Sequence, residues 1–156
     1  MWTGRQSDVT ALFEAARFID PGSRVITVQQ QWADWRTAPT GRFMVGGPAG
    51  AAAVARSFGA LLVIENRVFS PSLFAIPGQH VLKFRPGWQE ETIKGPLFSS
   101  LLSKTNDRGL VLSDWRGNYD YVLLLNADMS PKYPLDNDGL ELISGGGFAK
   151  VFRVNR

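Results

Sequence analysis

The residues that could do chemistry in this chain are few, and most are better suited to binding than to bond-making. The run from Phe43 to Gly50 carries Gly46, Gly47 and Gly50 ahead of an alanine-rich stretch, and Leu62-Val63-Ile64-Glu65 follows it. A strand, a glycine turn, a helix and a second strand ending in an acidic residue are the parts of a dinucleotide site, where free helix N–H groups meet a pyrophosphate. This copy departs from the pattern twice. Val45 stands where the first glycine belongs, and the gap from Gly50 to Glu65 is about one helical turn short of the usual acidic spacing. An ordinary Gly/Ala turn packing a helix on a sheet accounts for the same residues.

His80 is the single histidine, and no G-x-S-x-G elbow presents a serine to it. Zinc would have one imidazole, no thiolate and otherwise only carboxylates, so no metal site is expected. Asp136-Asn137-Asp138-Gly139 lacks the alternating ligands and distant glutamate of a calcium loop and reads as a turn. Trp32, Trp35, Trp88 and Trp115 have the faces to line a carbohydrate or headgroup site, but in a core of this size they pack. No catalytic residue and no cofactor emerges.

Open α/β sheets hold ligands beyond the carboxyl ends of their parallel strands. That rule selects Gln29, Gln30, Glu65, Asn66, Asn126 and Asp128, together with Gly46, Gly47 and Gly50, as the candidate ligand-binding set. These positions equally serve as strand caps facing water.

The elements that must position them follow from periodicity and punctuation. Val9, Leu12, Phe13 and Ala16 recur at helical spacing behind Ser7, a candidate N-cap, and the pattern runs to Ile19. Asp20-Pro21-Gly22-Ser23 is turn chemistry, and Arg24 to Val28 is a short β-branched strand. Pro48 suits the first turn of a helix reaching Phe58, and Ala60 to Ile64 reads as a second strand. His80 to Phe84 reads as a further strand, and Pro96 to Ser103 as a short helix. Tyr121 to Leu125 is apolar on both faces, as a central covered strand requires. Leu140 to Ile143 and Phe148 to Val154 then form an antiparallel pair. Phe148, Lys150, Phe152 and Val154 would share one face of it, with Lys150 a charge of the kind that guards a sheet edge.

With 156 residues, 44% of them apolar, the chain is the size of one domain with one core. The expected class is α/β: a single three-layer domain over residues 1–156, with a mixed, largely parallel sheet, a C-terminal antiparallel hairpin and a lead-in helix over 1–19. The net charge of +3 comes from arginines scattered singly, which argues against nucleic acid as a partner. Cysteine is absent, which removes disulfides and thiolate chemistry. No stretch reaches the ~20 apolar residues of a membrane span, and no basic segment leads into an apolar run at the N-terminus.

Taken together, Ile19 to Val28, Phe69 to Ala75, Tyr119 to Leu125, Leu140 to Ile143 and Val151 to Val154 resemble a known kind of domain. It is the soluble C-terminal domain that follows the last membrane span in bacterial polytopic membrane proteins of the lipid-linked-sugar glycosyltransferase type. The resemblance implies a place on the extracytoplasmic face of the inner membrane, in the periplasm, with attachment through an upstream span and a protein or glycan-lipid partner. It carries over no catalytic residue, because that family's acids lie in membrane-proximal loops. The implied role is a non-catalytic accessory domain. The rival is a free-standing, cytoplasmic small-molecule or nucleotide-binding protein using the turn from Gly46 to Gly50.

Overall fold

A computed structural model describes residues 6–30, 61–70, 115–128 and 135–156. Expectations for the turn from Gly46 to Gly50, the helix from Pro48, the strand at His80 and the helix at Pro96 lie outside these residues, as do Trp32, Trp35 and Trp88.

Helix α1 spans Gln6–Ala16 and turns Leu12, Ala15 and Ala16 inward, at the spacing that puts them on one face. Asp8 stands in its first turn, where a carboxylate favours the positive end of the helix. Ser7 is not the cap expected of it: Gln6 is already helical, and the Thr10 hydroxyl donates back to the Gln6 carbonyl at 2.8 Å. The helix also stops at Ala16, before Ile19. Ile19 is nonetheless buried, its N–H bonded to the Ala16 carbonyl at 3.0 Å.

The turn that follows is set by its residues. Pro21 and Gly22 take the central positions, Gly22 with φ +84°, as a type II turn demands, and the Ser23 N–H returns to the Asp20 carbonyl at 3.2 Å. Strand β1, Val25–Gln29, leaves directly from it.

Residues 61–65, α2 here, are helical, which corrects the strand expected over Ala60 to Ile64. Five consecutive apolar residues fit either a buried strand or a helix, and periodicity cannot separate them. Burial decides: Leu62 is fully buried while Ile64 is 75% exposed, so the two do not share a strand face. The turn closes through the Asn66 N–H to the Leu62 carbonyl at 2.9 Å, with Arg67 left-handed at φ +55°. The chain then runs beside the start of β1, where the Val25 N–H meets the Phe69 carbonyl at 2.8 Å.

The short helix α3, Trp115–Asn118, leads into strand β2, Tyr121–Leu125, which is buried along its whole length. Strands β3, Leu140–Gly146, and β4, Ala149–Val154, complete a four-stranded mixed sheet in the order β1-β2-β4-β3. Among the described residues, β1 and β2 pair in parallel, while β2 with β4 and β4 with β3 pair antiparallel. Among the described strands the parallel character is therefore confined to the β1–β2 pair, with one isolated parallel bridge beside it between Arg24 and Phe69. β2 lies between two neighbours, as its two apolar faces require.

Both sheet faces are covered. On one, Tyr121, Leu123 and Leu125 pack with Val25, Ala149 and Val151 beneath Leu12, Ala15, Ile19 and Leu62. On the other, Val122 and Leu124 pack with Ile26, Val28 and Val154 against Trp115, Tyr119 and Leu135. Phe148 belongs to the first cluster and Phe152 and Val154 to the second, so the single face expected for these residues does not exist. Phe148 sits outside β4, in the connection to β3. Lys150 guards no edge either, because β4 has β2 on one side and β3 on the other. Gly145, with φ +111°, allows the close approach of β4 there: a Cβ would collide with the Ala149 carbonyl and Lys150 backbone.

Candidate functional site

The parallel pairing of β1 and β2 gives the sheet two chemically different ends. At the carboxyl end, Gln29 stands opposite Leu125, and the Gln30 N–H is bonded to the Leu125 carbonyl at 2.9 Å. Asn126 follows immediately in the left-handed region at φ +57°, a conformation that Asn tolerates better than most residues. The topology thus brings Gln29, Gln30 and Asn126 to one sheet end, and all three are buried, Asn126 completely. Asp128 lies two residues beyond and is exposed.

Side chains alternate along a strand, so Val25, Thr27 and Gln29 share the face covered by α1. This stripe passes from apolar to polar toward the carboxyl end. There the Thr27 Oγ1, the Gln29 Oε1 and both the Oδ1 and Nδ2 of Asn126 are buried without a hydrogen-bond partner among the described residues. Buried polar atoms are nearly always paired, so this concentration of unpaired ones at the mouth of a parallel pair is unusual. All of these groups are uncharged hydroxyl or amide groups. They offer acceptors and donors to an uncharged polar partner, which is binding chemistry.

Glu65 and Asn66 do not join this end. Both belong to the closing turn of a helix, with Glu65 exposed, so the acidic-ended strand that a dinucleotide motif needs at Leu62 to Glu65 is not formed. Asn66 instead donates its Nδ2 to the Ala16 carbonyl at 2.9 Å, tying α2 to the C-terminus of α1. Trp115 is buried and packs against the sheet, with the Arg116 guanidinium 4.3 Å above its ring. The Asp136 to Gly139 segment is a turn: Asp136 Oδ1 accepts the Asp138 N–H at 3.2 Å, and its Oδ2 meets Arg116 at 2.8 Å.

The amino end holds a cluster that sequence reasoning missed. An open cavity of about 500 Å³ is lined by the Asp20 to Ser23 turn, Asp120, Tyr121, Arg153, Val154 and Arg156. The Tyr121 hydroxyl donates to Asp20 Oδ2 at 2.7 Å, and Arg153 lines the same cavity. Burial pushes the Tyr121 phenol above its ordinary value, the bond to the Asp20 carboxylate pushes it further, and Arg153 offsets part of the shift. Asp120 takes the Arg24 N–H on Oδ2 and Arg156 on Oδ1, each at 2.8 Å. These residues come from positions far apart in sequence. Their signal was a charged residue ahead of each parallel strand, Asp20 before β1 and Asp120 before β2.

Compared with family models, curated proteins and solved structures, the chain gives no match. No helix among the described residues is long and apolar enough to cross a membrane.

Proposed function

We propose that this chain is a non-catalytic accessory domain of a larger bacterial membrane protein, related to the lipid-linked-sugar glycosyltransferases, that contacts an acceptor or partner on the extracytoplasmic side. The observation that carries the reading is the chemistry left free at the carboxyl end of β1 and β2. The unpartnered buried atoms belong to Thr27, Gln29 and Asn126, whose uncharged hydroxyl and amide groups offer hydrogen bonds to a partner. The carboxylates Asp20, Asp120 and Asp136 meanwhile hold turns and strand ends together.

The segments that carry the resemblance support it in a second way. Ile19 to Val28, Tyr119 to Leu125, Leu140 to Ile143 and Val151 to Val154 supply the turn into β1 and parts of all four strands, and Phe69 bridges to the start of β1. They are one contiguous sheet rather than scattered matches. In this reading the sheet is the middle layer of a single three-layer domain, with α1 and α2 on one side and the Trp115 and Leu135 cluster on the other.

Immunoblotting of membrane and soluble fractions of the source cells with an antibody to this domain tests the proposal. The expected product is membrane-bound and much larger than the 17.2 kDa of this chain. A soluble band at that mass would refute it.

A further inference from the structure

The cavity at the amino end of β1 and β2 is a separate feature, independent of the accessory-domain reading. Its donor and acceptor groups are unevenly engaged. Both Asp120 oxygens are taken, one by the Arg24 N–H and one by Arg156, and Asp20 Oδ2 is taken by Tyr121. The two guanidiniums are engaged far less. Arg156 gives one nitrogen to Asp120, and its side chain stays 56% exposed. Arg153 approaches Glu141 only to 3.7 Å, beyond hydrogen-bond range, and lines the cavity beside Tyr121. Each guanidinium carries several N–H donors in a planar fork, so most of this capacity faces solvent and the cavity.

Asp120 therefore anchors Arg156 at the rim, and the groups left over are guanidinium N–H donors of Arg153 and Arg156. Paired forks of this kind match the oxygens of a phosphate group. A volume of about 500 Å³ exceeds that of the phosphate alone and lies in the range of small-molecule sites. The Ser23 hydroxyl, which also lines the cavity, donates to the Asp20 carbonyl at 2.7 Å and keeps its oxygen lone pairs as acceptors.

We infer that this cavity binds a phosphate group carried on a small hydroxylated molecule, with Arg153 and Arg156 holding the phosphate and the Asp20 to Ser23 turn facing the organic body.

Calorimetric titration at constant ionic strength tests this, using glucose 1-phosphate in one arm and inorganic phosphate in the other. Saturable binding is expected, and Arg153→Gln and Arg156→Gln should each weaken it about 10-fold or more, as the loss of charge-assisted hydrogen bonds implies. Arg17→Gln, at an exposed site beyond α1, should leave it unchanged. Tighter binding of the monoester upholds the inference of phosphate plus body, whereas equal binding of inorganic phosphate would overturn the role given to the Asp20 to Ser23 turn. Both arginines are half exposed, so the variants are expected to fold, which circular dichroism checks. The inference fails if neither probe saturates, or if both Gln variants bind as the parent does.

Discussion

The two ends of the β1–β2 pair solve the same problem in opposite ways. At the amino end, polar groups meet one another: the Tyr121 and Asp20 side chains, and the Asp120 carboxylate with the Arg24 backbone N–H and the Arg156 guanidinium. At the carboxyl end, the Thr27 Oγ1, the Gln29 Oε1 and the Asn126 amide atoms are buried without partners among the described residues. Satisfied buried networks rigidify a fold, whereas unpaired buried groups cost stability until something pairs with them. The amino end thus clamps the strands, and the carboxyl end stores unmet hydrogen bonds for a binding partner.

The largest expected effect lies between the ends, where both depend on the same core. Leu123→Ala, at a fully buried position on β2, should cost about 3 kcal/mol in chemical denaturation. A cost below about 1 kcal/mol would mean that β2 is not the central strand of the core.

At the amino end, Asp120→Ala should cost about 2 kcal/mol, because it leaves the Arg24 N–H and the Arg156 guanidinium without their acceptor. The equivalent removal at the carboxyl end has no such cost, and this asymmetry sharpens the contrast. A neutral result for Asp120→Ala in urea melts would erase it.

Smaller still is the alkaline response of the clamp. The Tyr121 phenol is raised in the folded state, so its contribution to stability is fully present below the ordinary phenol value of about 10 and is lost as pH rises through the folded value. Tyrosinate absorbance should show one group titrating late, and Tyr121→Phe should remove that phase. An unchanged late phase would assign it to Tyr119 or Tyr133.

Much of the sheet was legible because its residues speak for themselves. Tyr121 to Leu125 is apolar at every position, and only a strand covered on both faces tolerates that. The Asp20 to Ser23 turn and the strand behind it were legible for the same reason, since Pro and Gly fix φ locally. Residues 61–65 were misread because a short apolar run has no period to break. The carboxyl-end residues Gln29, Gln30 and Asn126 followed from a topological rule, while Glu65 and Asn66 depended on the misread element. The amino-end cavity was illegible: Asp20, Tyr121 and Arg153 meet only through the β1–β2–β4 pairing, which no local pattern encodes.

The unmet hydrogen bonds at the carboxyl end are the central claim, and the denaturant midpoint of a Thr27→Val, Gln29→Met double variant tests it most directly. Replacing unpartnered buried polar atoms by apolar groups of similar shape should raise stability, by about 1 kcal/mol, with the slope of the transition unchanged. A fall in the midpoint would show that these atoms already have partners, and the carboxyl end would then be a second clamp rather than a binding site.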